Sequence, residues 1–176
     1  MKTNTSLSIP TKPDLDFITQ SLRGKQKTKT QNIAARCPSG HPAVIEVVPI
    51  DNDGKPFPTT LWLLCPSLVS QITQIEYAGF AKEVTELIES NQEFKQNLHQ
   101  AHLDYIALRE SLLEDDKFKK TFQKKGIAGS ENFSAVKCLH GHFAQQLGQQ
   151  NNPIGKLLLE RFDIQCKLPS NPQEPN

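Results

Sequence analysis

Residues 59–75 read Thr-Thr-Leu-Trp-Leu-Leu-Cys-Pro-Ser-Leu-Val-Ser-Gln-Ile-Thr-Gln-Ile, and the spacing of the apolar residues changes midway. Thr59–Leu64 is a short, almost continuous apolar run, the pattern of a buried strand. After Pro66, the residues Leu68, Val69, Ile72 and Ile75 recur at helical spacing as far as Gly79, a natural C-terminal stop. Proline suits a first helical turn, where its missing N–H is not needed. A strand running directly into a helix makes the chain mixed in class. It also places Cys65 at a helix N-terminus, where the dipole favours thiolate.

Working upstream, Ala43–Val48 (Ala-Val-Ile-Glu-Val-Val) is β-branched and short, a second strand. Between the two lies Asp51-Asn-Asp-Gly-Lys-Pro, whose Asp53-Gly54 can take positive φ in a turn. The two strands therefore form a β-hairpin. The Asp51/Asp53 pair lacks the downstream glutamate of a calcium loop. Cys37-Pro38 precedes the first strand and Cys65-Pro66 ends the second. Antiparallel pairing brings those two places to one end of the ribbon, so the cysteines are expected to be neighbours.

Downstream, a short helix is expected over Ala81–Glu89, then a new one from the capping-box pattern Ser90-Asn-Gln-Glu93. Phe94, Leu98, Ala101, Tyr105, Leu108 and Leu112 form an apolar stripe along it. The stripe suits an antiparallel helix pair in the domain or, alternatively, a protein partner docked on helix 91–114. Glu114–Lys125, with Phe118 and Phe122, reads as a short amphipathic helix, and 126–133 as a loop. A helix is expected from Ala135 to Leu147, and a last one from Pro153 with Asn152 as its cap. The fold class is thus α+β, a mainly α-helical single domain with one β-hairpin. Its expected span is 31–165. Residues 1–30 read as a disordered or linker segment with a short helix at Asp14–Leu22, and 166–176 as a disordered tail with Cys166 incidental at its edge.

The chain has 176 residues, 36% hydrophobic and 22% charged, with a net charge of +1. No global field recruits nucleic acid, and Arg23–Lys29, basic but without aromatic residues, reads as a solvated linker. No apolar run approaches the roughly 18 residues of a membrane helix. The N-terminus lacks the apolar core of a signal peptide. The expected location is the cytoplasm, with four reduced cysteines.

The densest chemistry lies in Val136–Phe143, Val-Lys-Cys-Leu-His-Gly-His-Phe. Thiolate and imidazole are soft metal ligands. Cys138 and His142, four apart, share a face if both are helical, whereas Cys138 and His140 fit together only if Cys138 lies in an irregular first turn. The expectation is that this segment meets Cys37 and Cys65 in space. His102, Tyr105 and Arg109 cluster on helix 91–114 and, with Arg36, form a candidate anion-binding set; the alternative places Tyr105 in the stripe and leaves His102 and Arg109 solvated.

Three segments together resemble a bacterial family catalogued as domain of unknown function 501. They are Arg36-Cys37-Pro38-x-Gly40-x-Pro42, then Pro56-Phe57-Pro58-Thr59 through Leu64-Cys65-Pro66, then Val136-Lys137-Cys138-Leu139-His140. His102-Leu-Asp-Tyr105 with Arg109, and Asn152-Pro153-Ile154-Gly155, are similar to its later motifs. The resemblance implies a ligand set of Cys37, Cys65, Cys138 and His140, and the shared helical face keeps His142 as the alternate to His140. Three cysteines and one histidine complete a tetrahedral zinc shell, and an iron–sulfur cluster is the alternative. The reaction, if any, stays open. One alternative is a cysteine- or metal-dependent hydrolase acting on an anionic small molecule, with Cys138 as nucleophile. The other is a helical adaptor. No Walker loop, dinucleotide fingerprint or nucleophile elbow is present.

Overall fold

The computed structural model describes residues 7–170. The disorder expected at residues 1–6 and 171–176 lies outside the described residues. Three antiparallel strands, β1 Thr28–Arg36, β2 Pro42–Asp51 and β3 Leu61–Leu63, form one sheet in that order. Seven helices accompany it: α1 Lys12–Ser21, α2 Pro66–Tyr77, α3 Phe80–Ser90, α4 Gln92–Ser111, α5 Lys119–Phe122, α6 Leu139–Gln149 and α7 Pro153–Arg161. The class is α+β and mainly helical.

Helices cover both faces of the sheet, which is why β2 is buried along most of its length. On one face Ile18 of α1 packs with Ile33, Ile45, Val47 and Leu64. On the other, Val44 and Leu61 join the main core with Leu68, Ile72, Val84, Leu98, Phe143 and Leu158. The hairpin read from β2 and β3 is present, with Val44 opposite Leu63 and Glu46 opposite Leu61. Strand β1 adds a second, tighter hairpin turned through residues 37–41. Its sequence hides the period of two, because register irregularities interrupt the pairing and its buried end uses Thr28 and Thr30.

The α4 stripe lies inside the domain: Leu98, Ala101 and Tyr105 are fully buried, and Phe94 and Leu108 pack beside them. Its N-cap is Asn91 rather than Ser90, whose hydroxyl turns back to the Glu86 carbonyl. The amphipathic helix expected at Glu114–Lys125 contracts to the four residues of α5. Helix α6 begins at Leu139, four residues later than the pattern from Ala135 implies, and lies between the sheet and α7. Gly155 sets the α6–α7 approach, since a Cβ there would stand 2.8 Å from the His142 carbonyl oxygen.

Candidate metal centre

Antiparallel pairing fixes the first group of ligand-type side chains. Arg36 pairs with Pro42 across the β1–β2 turn, so Cys37 sits at the end of the ribbon. Strand β3 returns along β2, and the Leu64 N–H donates to the Ala43 carbonyl at 2.8 Å, which brings Cys65 to the same end. The cysteines 28 positions apart are therefore neighbours, as the hairpin topology requires.

The third sulfur at this end is that of Cys166, which the sequence reading treats as incidental. The segment after α7 crosses the start of α2, where Gln71 donates to the Gln165 carbonyl at 2.7 Å and the Lys167 N–H to the Ser67 hydroxyl at 3.0 Å. Ser39, in the β1–β2 turn, donates to the Leu168 carbonyl at 2.8 Å. These bonds set Cys166 Sγ 3.6 Å from Cys65 Sγ. The sulfurs of Cys37, Cys65 and Cys166 all lie within 4.8 Å of one another, and none is in a disulfide. Cys37 and Cys65 are buried and Cys166 is half-buried.

Main-chain N–H groups of Ser39 and His41 point at the Cys37 sulfur, and that of Leu68, in the first turn of α2, at Cys65. Cys37 is the acidic member of the pair: the hydrogen bond from Cys65, reinforced by those N–H groups, lowers it to about 5 despite burial. Cys65 is pushed up, chiefly because it keeps its proton to give to Cys37 and then because it is buried. Thiolate is the form that binds metal.

Cys138 and His140 are not at this junction. They form a second group with Glu76, in the last turn of α2, again with ligand atoms within 4.8 Å. Eleven residues separate Cys65 from Glu76, about 16 Å along α2. The four-ligand set of Cys37, Cys65, Cys138 and His140 is thereby divided: each half takes a third partner, Cys166 or Glu76, that the sequence did not mark. The reason is that α2 spans the gap as a rigid rod. Cys138 is the N-cap residue of α6, in extended conformation (φ −161°), so it is not on a helical face with His142. Its extended geometry is what lets His140 Nδ1 approach Cys138 Sγ to 3.7 Å. Burial pushes the Cys138 thiol up, but the His140 ring and the Gly141 N–H outweigh it and hold it below the ordinary value. His140 is raised in turn, foremost by Cys138.

His142 belongs to neither group. It is buried, with Nδ1 3.1 Å from the Asn152 amide nitrogen and its ring edge-on to His102 at 5.8 Å. Burial lowers it to about 3, so it stays neutral.

The residues proposed for anion binding are wired internally. Arg36 forms a two-pronged pair with Asp14 at 2.8 Å and donates to the Gly40 carbonyl. The Tyr105 hydroxyl accepts the N–H groups of Thr60 and Leu61. His102 Nδ1 accepts the Ile127 N–H at 3.0 Å. Arg109 donates to the carbonyls of Phe122, Lys125 and Gly126. Both His102 and Arg109 have 0% exposure, which corrects the expectation that they are solvated. The signal missed was that α4 carries core positions adjacent to its stripe, and polar groups can occupy them when main-chain partners are supplied.

The family described as protein of unknown function DUF501 matches residues 33–160. The chain belongs to that family. No curated protein and no solved structure matches it. Glu76, Cys138 and His140 lie within the DUF501 match, as do Cys37 and Cys65, whereas Cys166 lies beyond it.

Proposed function

We propose that this DUF501 protein is a metal-binding protein in which Cys37, Cys65 and Cys166 hold one zinc ion. The observation that carries the reading is the convergence of three unbridged sulfurs from three distant segments, two of them receiving main-chain N–H groups. Two thiolates on one tetrahedral zinc stand about 3.8 Å apart, taking Zn–S near 2.3 Å. The Cys65–Cys166 separation of 3.6 Å is close to that edge. An iron–sulfur cluster places several iron atoms between its thiolates and calls for a fourth ligand, so one compact ion fits three close sulfurs better. The ion's role in this reading is to tie the C-terminal segment to the β1–β2 turn and to the start of α2, leaving its fourth position to solvent or an external donor.

The test is metal analysis with an absorption spectrum, on protein purified without a histidine tag. The expected result is colourless protein holding zinc, and loss of one equivalent on Cys166→Ser. Folded protein whose zinc content is the same in wild type and Cys166→Ser overturns the reading.

A further inference from the structure

The second group, at the other end of α2, has a different chemical character. Glu76 Oε1 accepts the Leu139 N–H at 2.7 Å, so Glu76 supplies from α2 the cap that the Cys138 side chain does not give α6. This bond fixes the carboxylate at the mouth of α6 and leaves Oε2 beside His140 Nδ1, at 3.3 Å. The histidine ring is fixed from its far side. Its Nε2 lies 3.0 Å from the Thr73 hydroxyl and 3.3 Å from the Val69 carbonyl. Thr73 donates its one hydroxyl proton to that same Val69 carbonyl, at 2.8 Å. Toward the ring, therefore, both Thr73 and Val69 are acceptors. Nε2 must carry the proton, and in the neutral ring the Nδ1 lone pair faces Cys138 and Glu76. A ring nitrogen that donates to a main-chain carbonyl while the other faces soft donors is how metal-bound histidine is held.

The distances agree with one tetrahedral ion. With ordinary zinc–ligand lengths, a sulfur and a nitrogen ligand stand about 3.6 Å apart, and a nitrogen and an oxygen about 3.3–3.4 Å. The structure has 3.7 Å from Cys138 Sγ to His140 Nδ1 and 3.3 Å from Nδ1 to Glu76 Oε2. All three side chains are half-buried, so solvent reaches the group.

We propose that Glu76, Cys138 and His140 form a second metal site, independent of the three-thiol junction, with zinc or a similar borderline divalent ion as its ligand. It offers one sulfur, one nitrogen and one oxygen donor and an open fourth position. Three protein ligands with an open position is the arrangement of sites where a metal-bound water or an external ligand exchanges. Binding displaces to solvent the one proton that Cys138 Sγ and His140 Nδ1 share, which frees a thiolate and the Nδ1 lone pair for the ion. Thr73 and Val69 are positioning groups.

The experiment uses the full chain without a tag, stripped with chelator and titrated with zinc. It reads bound zinc per chain and the alkylation rate of each cysteine, mapped by mass spectrometry. The expected wild type holds two ions and shields Cys138 from iodoacetamide when loaded. His140→Ala and Glu76→Gln should hold one ion, lose shielding at Cys138, and keep it at Cys37, Cys65 and Cys166, which also shows that they are folded. Thr73→Val should keep the site but weaken it by about tenfold or more. Cys166→Ser should leave zinc shielding of Cys138 intact. Shielding at Cys138 alone supports this site and overturns the three-thiol reading. Cys138 alkylated equally fast with and without zinc overturns the proposal, leaving a bare thiol–imidazole pair.

Discussion

The polar clamp on α4 and the sulfur junction at the start of α2 both draw polar or ligand-type side chains together away from open solvent, yet their partners differ in kind. In the clamp, Tyr105, His102 and Arg109 are bonded to main-chain groups of residues 60–61 and 122–127. Among the described residues of the clamp, His102 Nε2, Arg109 Nε and Thr60 Oγ1 are buried without a hydrogen bond. At the junction, Cys37, Cys65 and Cys166 face one another. Polar groups satisfied by the backbone hold a loop in place, whereas the three sulfurs converge on one another, the arrangement on which the proposed ion rests.

The sharpest way to break that contrast is Arg109→Met. It removes a charged donor from three carbonyls, of which those of Phe122 and Gly126 keep a main-chain N–H, and should cost about 3 kcal/mol in urea unfolding without changing zinc content. A smaller cost with altered metal content would move Arg109 from the clamp to the site. In a Glu76→Gln background, which removes the second site, zinc in hundredfold excess over its dissociation constant should add about 2.7 kcal/mol, and that increment should disappear when Cys166→Ser is added. An equal shift in both would separate stability from the junction.

With chelator present, acid should act on the helix interior as well as on the junction, where Cys37 is held below the ordinary thiol range. Burial lowers His142 to about 3 and His102 to about 4, against 6.5 when unfolded. The unfolded chain therefore binds protons first, so this stabilisation is complete above pH 6.5 and is lost as pH falls toward 4 and 3. Between pH 7 and 5.5 the loss should be about 1 kcal/mol per histidine, read from the urea midpoint. A flat profile would mean that both rings are solvated. The smallest expected effect is Tyr105→Phe, which removes the acceptor of two buried N–H groups at about 1.5 kcal/mol and should leave zinc binding unchanged. Loss of metal in this variant would connect the two regions through β3.

Much of the frame is legible residue by residue. Pro66 and Asn152 mark helix starts that are where the pattern puts them, because caps and prolines act within one turn. Strand β1 is not legible, because Thr28 and Thr30 are buried where a pattern reader looks for apolar residues. The buried place of Arg109 is not legible either: its three carbonyl partners come from residues 122–126, which no helical periodicity connects to α4.

By itself the sequence determined that Cys37 and Cys65 meet, since antiparallel strands joined by a short connection bring their outer ends together. It also determined that Cys138 and His140 can share an ion, since the two are only two residues apart at a helix start. Only the tertiary structure decided that these ligand-type side chains fall into two groups and not one. Cys166 reaches Cys65 across 101 positions, and Glu76 reaches Leu139 across 63. Contacts of that span are set by how α2, α6 and the segment after α7 pack on one core, and no local pattern of residues records them.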